Sequence, residues 1–354
     1  MLKCDVLVVG AGPAGSSAAF FLKHFDKENR FNVTLIDRLN DDQFKKYHRI
    51  CGEGIGKDCF KEIMPIKPTK IVEKINLIRE HWPENLVTQD RLKGFIINRP
   101  SFLKYIIEKF RELGGIFVRD SVIDINQNKN FIKIKTKKIS RYDFVIAADG
   151  AYSLIRNKLK IRPGNIQYAM QYIVNKEPEN HNVLEIFYDE QYKGSYKWIF
   201  PNGNTTKIGF PIVKNKVFKI DKKFLEKQVR VIGCGGISQY VKGRVLFVGD
   251  SACQANLLTK GGIRPGMIAG KMAAESIIEG KPFKYEERWK KTKYASQLFK
   301  IAYNRLSKMK NEELYKCIKP ISSKNTILQI AGVLINRNYT DIYRAFELAN
   351  EIGW

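Results

Sequence analysis

Val6-Leu7-Val8-Val9-Gly10-Ala11-Gly12-Pro13-Ala14-Gly15 decides the fold. Residues 3–9 read as a short buried strand. Residues 13–24 read as a helix with Ala18, Ala19, Phe20 and Leu22 apolar. Asn32-Val33-Thr34-Leu35-Ile36 reads as a second strand ending at Asp37, which completes a βαβ unit. Each glycine then has its own task. Gly10 permits the tight turn, Gly12 lets backbone approach a pyrophosphate, and Gly15 lets the helix pack close to the sheet. The helix N-terminus offers amide donors and a partial positive charge to phosphates. Asp37 can accept hydrogen bonds from a ribose hydroxyl pair. A Gly-x-Gly-x-x-Gly pattern alone is a weak signal. Here it follows a strand, opens a helix and precedes an acid at the right distance, so it predicts a dinucleotide site.

Further along, Cys51-Gly52-Glu53-Gly54-Ile55-Gly56 forms a Gly-rich loop within residues 40–60. Residues 101–113 read as an amphipathic helix capped by Ser101, with Phe102, Tyr105, Ile106 and Phe110 as its stripe and Gly114-Gly115 as its stop. Strands are expected near 116–118 and 131–136, and at Phe144–Ala148 before Asp149-Gly150. Residues 165–225 read as a mainly antiparallel sheet, 244–248 as a buried strand, and Gly262 to Ile278 as a helix. The last 70 residues look helical. The expected fold is α/β. A discontinuous Rossmann-type domain (1–160 and 241–285) carries an inserted antiparallel-sheet substrate domain (161–240), followed by a helical C-terminal region (286–354).

The formal charge is +26, from 62 basic and 36 acidic residues. Such an excess favours an acidic partner: a lipid head group, an acidic redox protein or nucleic acid. Lysine is spread along the chain, which fits a solvated surface equally well. Aromatic residues sit in apolar strands, not among Lys and Arg on an exposed platform, which argues against nucleic acid. The six cysteines form no C-x-x-C, and the four histidines are dispersed, so no metal site is expected. A reducing cytoplasm is the simplest setting. No run reaches the ~18 apolar residues of a membrane span, so membrane contact is expected only at the periphery, on the inner face.

Asp149-Gly150 and Gly249-Asp250-Ser251-Ala252 each follow an apolar strand. With the N-terminal loop, they make the chain resemble the flavoprotein hydroxylase superfamily, whose fold is that of p-hydroxybenzoate hydroxylase. The resemblance implies FAD as cofactor, Asp149 at its site, and Asp250 on its ribityl or ribose part. It also implies that Thr259-Lys260-Gly261-Gly262-Ile263 brings a helix N-terminus to the flavin pyrimidine edge, where amides stabilise negative charge. Three segments are more specific. Tyr47-His48-Arg49-Ile50-Cys51-Gly52-Glu53-Gly54-Ile55 resembles the Cys-Gly loop of geranylgeranyl reductases. Ile97-Asn98-Arg99-Pro100-Ser101-Phe102 resembles their Arg-x-x-Phe element, and Tyr196-Lys197-Trp198-Ile199-Phe200-Pro201 their Tyr-x-Trp-x-Phe-Pro signature.

In that family reduced FAD saturates isoprenoid double bonds, and archaeal members act on ether-lipid precursors. The resemblance implies that Ala14, Asp37, Cys51, Gly52, Gly54, Arg99, Val122, Asp250, Gly262 and Ile263 contact FAD, beside Gly10, Gly12 and Gly15 of the loop. It implies that Tyr196, Trp198 and Phe200 line the substrate channel, and that Cys51 is catalytic, by giving a proton or by shaping the loop. The chemistry agrees, because an isolated alkene has no polar handle and needs a dry channel plus a nearby acid. The bland readings are a sheet-core aromatic ladder, a buried Cys51 acting as a small hydrophobe, and a surface His48. Three positions depart from the family pattern: Lys193, Leu257 and Lys260. Gly233-Cys234-Gly235-Gly236 lacks the spacing of a second nucleotide loop, so an acidic donor such as a ferredoxin is expected. Two alternatives stand beside reduction: an FAD-dependent aromatic or polyketide monooxygenase, and a non-catalytic electron-transfer or lipid-binding paralogue.

Overall fold

A strand that is apolar on both faces must be covered on both faces, and Val6, Leu7 and Val8 are at most 1% exposed. In the computed structural model, which describes residues 3–175, 181–322 and 337–353, Cys4–Val9 lies inside a six-stranded sheet. It pairs in parallel with Phe31–Asp37 and with Phe144–Ala147. The sheet continues to Ile116–Arg119 on one side and to Val245–Phe247 and Val241–Lys242 on the other. All pairings are parallel except the last, as the βαβ reading requires.

The helix Pro13–Phe25 lies against the helix Ile263–Ile278, which begins where the sequence places it. Small residues make the approach possible. A Cβ on Gly270 would stand 2.3 Å from the Ala14 carbonyl oxygen and 3.0 Å from the Ala18 amide nitrogen. The Ser17 hydroxyl, fully buried, donates to the Met267 carbonyl at 2.7 Å and satisfies itself across the same contact. The helix expected at 101–113 spans Arg99–Glu112 instead. Its cap is Asn98, whose side chain accepts from the Ser101 amide. Pro100 needs no partner in the first turn, because it has no N–H.

The second sheet has eight strands, in the order Glu226–Cys234, Asn165–Asn175, Thr205–Pro211, Lys197–Asn202, Val183–Phe187, Ile71–Trp82, Leu86–Ile97, Gly54–Gly56. It is antiparallel apart from the pairing of Val183–Phe187 with Ile71–Trp82. The sheet therefore draws on residues 54–97 as well as on 161–240. That hairpin is obscure in sequence because its register shifts twice, between Ile71 and Glu73 and between Ile75 and Leu77. Each shift breaks the alternation that marks a strand. Residues 176–180 of the expected sheet and 323–336 of the expected helical region lie outside the described residues.

C-terminal helices, among them Leu298–Leu306 and Thr340–Ile352, bury Phe299, Ala302, Leu306, Ile342 and Ala345 in one cluster with Trp82 of the hairpin. Trp82 stacks on Tyr188 at 3.9 Å between ring centroids. Beside them Glu80 accepts from the Thr88 hydroxyl at 3.0 Å and from the Tyr188 hydroxyl at 3.3 Å. Desolvation pushes the Glu80 carboxyl up to about 7 from an ordinary 4.5. The folded state then keeps a proton that the unfolded chain has released, so stability is lost as pH rises from about 4.5 through 7. Glu80→Gln removes that loss. Thermal melts should show little difference at pH 5 and a gain of about 1–3 kcal/mol at pH 8. A variant with the same advantage at both values would refute the assignment.

Candidate functional site

One cavity of about 640 Å³ is lined by residues of both large sheets. Gly10, Gly12, Ala14 and Asp37 stand at one part of its wall, Cys51, Gly52, Gly54, Arg99, Val122 and Asp149 at another. Asp250, Gly262, Ile263, Tyr196, Trp198 and Phe200 complete the set. Of the residues expected at the cofactor or substrate, all but Gly15 line the cavity; of the three departures, Lys260 lines it and Lys193 and Leu257 do not.

The three loop glycines separate by what a side chain would meet. Gly10 has φ +99°, and a Cβ there would stand 2.4 Å from the Ala148 carbonyl oxygen. A Cβ on Gly15 would stand 1.8 Å from the Gly10 carbonyl oxygen. Both are therefore required by the protein itself. Gly12 is different. Its φ of −71° suits any residue, and the nearest atom to an added Cβ is His48 Cε1 at 3.6 Å. No atom of the described residues crowds that position, and the residue lines the cavity. Asp37, at the end of its strand, is held by the amides of Ala11 at 2.7 Å and Leu39 at 2.8 Å. Those donors fix the carboxylate at the cavity wall.

Two further carboxylates are half-buried in the wall. Asp149 accepts from the Ile155 amide at 3.1 Å through one oxygen, and its other oxygen is buried without a partner among the described residues. Burial raises both the Asp149 and Asp250 carboxyls, while the Arg230 and Arg99 guanidiniums draw Asp250 back down. Arg230 itself lies over the Tyr47 ring at 4.1 Å, with Nη1 buried and unpartnered among the described residues. Unsatisfied buried groups of both signs in one cavity fit a guest that both accepts and donates hydrogen bonds. A dinucleotide, with hydroxyls and phosphates, has that character.

The Cys-Gly loop is clamped by Arg99, expected from sequence at the cofactor, together with Glu53, Lys207 and Gln171, to which the sequence reading gave no role. Arg99 donates from Nε to the His48 carbonyl at 2.7 Å and from Nη2 to the Ile50 carbonyl at 3.3 Å. Glu53, 3% exposed with φ +62°, accepts from the Arg99 amide at 2.9 Å and pairs with Lys207. Lys207, 2% exposed, also donates to the Cys51 carbonyl at 2.8 Å. Gln171 donates to the same carbonyl at 3.4 Å and to Gln228 at 2.5 Å. No local motif announces a Lys–Glu pair 154 positions apart. The one available signal is a lysine directly before the apolar run Ile208-Gly209-Phe210 of the strand Thr205–Pro211.

Tyr196, Trp198 and Phe200 share one wall, with Tyr196 just before the strand Lys197–Asn202. Tyr196 meets Trp198 edge-on at 6.3 Å, and its hydroxyl donates to the Thr259 carbonyl. Glycine makes room for each large ring. A Cβ on Gly209 would lie 1.9 Å from the Trp198 indole, and one on Gly52 would lie 2.8 Å from the Phe200 ring. The aromatic strand thus touches the Cys-Gly loop directly. The Trp198 indole N–H is buried and unpartnered among the described residues. Lys260, left-handed at φ +57°, sends its ammonium to the Leu257 carbonyl at 2.5 Å and over the Tyr303 ring at 4.1 Å. Burial lowers that ammonium to about 8. His48, expected on the surface, is 2% exposed, lines the cavity and packs against Phe44 of the same helix at 4.3 Å between ring centroids.

No protein-family model matches the chain. It is 31% identical over 319 residues to digeranylgeranylglycerophospholipid reductase 1 of Methanosphaera stadtmanae, covering 79% of this chain and 77% of that one. It is 28% identical over 355 residues to the digeranylgeranylglycerophospholipid reductase of Methanocaldococcus jannaschii, covering 88% of each. Among solved structures, a geranylgeranyl bacteriochlorophyll reductase-like protein of Thermoplasma acidophilum superposes with a TM-score of 0.80 at 18% identity, over 98% of this chain and 100% of that one. The flavin-dependent halogenase CmlS superposes at 0.69 and 14% identity, over 98% of this chain and 72% of that one. With the three motifs of its sequence assembled around one cavity and relatives matching along most of their length, the chain belongs to the family of digeranylgeranylglycerophospholipid reductases.

Proposed function

We propose that the protein is an FAD-dependent reductase that saturates the isoprenoid double bonds of a geranylgeranylated membrane lipid precursor. The observation that carries this reading is the continuity of one cavity from the Gly10–Gly15 loop to the aromatic wall. When bound, FAD in its reduced form supplies a hydride to one alkene carbon. The remaining steps belong to the chain. Gly12, Asp37, Asp149 and Asp250 hold the dinucleotide, and the first turns of the two helices face its charged parts. Tyr196, Trp198 and Phe200 exclude water and align the prenyl chain. Cys51 delivers a proton from Sγ to the other alkene carbon, and the thiol is recharged from solvent between turnovers. The product gains one hydride and one proton per bond, which balances the two electrons drawn from the cofactor.

No helix among the described residues is long and apolar enough to cross a membrane. A chain of formal charge +26 can meet a lipid substrate at an anionic bilayer surface, and the same charge suits an acidic ferredoxin-like donor. The test is mass spectrometry of geranylgeranylated phospholipid after anaerobic incubation with FAD-loaded protein and dithionite. Mass should rise by one hydrogen molecule per double bond reduced. Absence of any gain with a verified FAD complex would refute reduction, and turnover that requires oxygen would favour a monooxygenase. Trp198→Ala should slow lipid saturation by roughly tenfold or more while leaving the rate of cofactor reduction by dithionite unchanged. Equal slowing of both would remove Trp198 from the substrate wall.

A further inference from the structure

His48 closes the eight-residue helix Asp41–His48, which an Asn40–Gln43 capping box starts. Its ring is packed by Phe44 at 4.3 Å and Tyr47 at 5.2 Å, and Arg99 fixes its carbonyl. Neither ring nitrogen has a partner among the described residues, although both are buried. Leaving two such groups dry and unpaired is costly, and native proteins rarely do so without a ligand or water to satisfy them. The ring faces the cavity at one particular place. Cε1, the carbon between the two nitrogens, is 3.6 Å from where a Gly12 Cβ would stand. A side chain at Gly12 would meet no other atom of the described residues within 4 Å beyond its chain neighbours, so the space there is open to a guest. Gly12 is also the N-cap of the 13-residue helix Pro13–Phe25, where the backbone favours an anion.

We propose that His48 is a further binding residue for the dinucleotide, donating an imidazole N–H to its diphosphate. The proposal rests on the reading that this cavity binds FAD. Burial and the nearby Arg99, Arg230 and Arg119 guanidiniums hold the imidazole well below its ordinary range. A neutral ring keeps one N–H, and a diphosphate offers only acceptors, so donor and acceptor match without any proton uptake. A hydrogen bond to a charged acceptor in a dry site is stronger than one between neutral groups.

The test titrates wild type, His48→Gln and His48→Phe with FAD and with riboflavin, which lacks phosphate, and reads flavin fluorescence. Wild type that does not bind FAD would overturn both the cofactor reading and this proposal. If wild type binds FAD, the expected result is that His48→Phe weakens FAD by roughly tenfold or more, leaves riboflavin unchanged, and is largely rescued by the amide donor of His48→Gln. FAD affinity equal in wild type and His48→Phe would overturn the proposal while leaving the cofactor reading intact. Equal weakening of FAD and riboflavin would assign His48 a packing role and overturn it too. A second measurement needs no substitution. In protein labelled with ¹⁵N at its four histidines, FAD should protect one imidazole N–H from solvent exchange and riboflavin should not. No protected imidazole in the FAD complex would again overturn the proposal.

Discussion

Lys207→Met should destabilise the protein by about 3–5 kcal/mol, as expected when one member of a buried ion pair is removed. Lys207 and Glu53 are 2% and 3% exposed, so neither charge can turn to water when its partner is lost. The variant leaves Glu53 with only the Arg99 amide as a named donor, and the Cys51 carbonyl with only the longer bond from Gln171. The double variant Lys207→Met, Glu53→Gln tests the cause. A neutral amide can still accept from the Arg99 amide, so the double variant should recover most of the loss. Urea denaturation of the single and double variants measures both numbers. A double variant as unstable as Lys207→Met would show that lost packing, not an unpaired charge, is responsible. Because the clamp ends on the Cys51 carbonyl, the single variant should also lower turnover under conditions where it remains folded.

The second large effect comes from two glycines three positions apart. Gly15→Ala should cost about 3 kcal/mol or more, because the added methyl would stand 1.8 Å from the Gly10 carbonyl oxygen and 3.0 Å from the Ala148 Cβ. Backbone on one side and a packed sheet residue on the other leave nothing flexible to yield. Gly12→Ala should change stability by no more than about 1 kcal/mol, since its φ of −71° is ordinary and its nearest neighbour is at van der Waals distance. Its methyl instead enters the space beside His48, and FAD affinity should fall by roughly a hundredfold. Calorimetry and flavin titration of the two variants separate the effects. Full FAD affinity in Gly12→Ala would refute the placement of the diphosphate. Wild-type stability in Gly15→Ala would refute the close helix–sheet contact.

What could be read in the sequence was what depends on neighbours along the chain. The Gly10–Gly15 turn, the strand ending at Asp37 and the helix after Gly262 each declare themselves within a few residues. The aromatic wall was legible because Tyr196, Trp198 and Phe200 alternate along a single segment. Features that depend on distant pairing were not legible. Glu53 and Lys207 meet across two elements, and each alone looks like a surface charge. His48 packs inward beside Phe44 four residues earlier, and one such contact does not mark a short, half-charged helix as amphipathic. The hairpin 71–97 lost its alternation at two register shifts. In each case the deciding interaction lies between elements, and local propensity carries no record of it.

The contact between the helices Pro13–Phe25 and Ile263–Ile278 has one more effect. The Ser17–Met267 bond and the seat of Gly270 under Ala14 allow little sliding of one helix along the other. Both helices start at the same cavity, one at Gly12-Pro13 and the other at Gly262-Ile263. Their two positive ends therefore act as the jaws of a calliper with a fixed opening. A molecule that bears acceptors at the matching span engages both jaws, and a shorter one engages a single jaw. On the dinucleotide reading, the span between a guest's acceptors would then bear on its fit as much as the acceptors themselves.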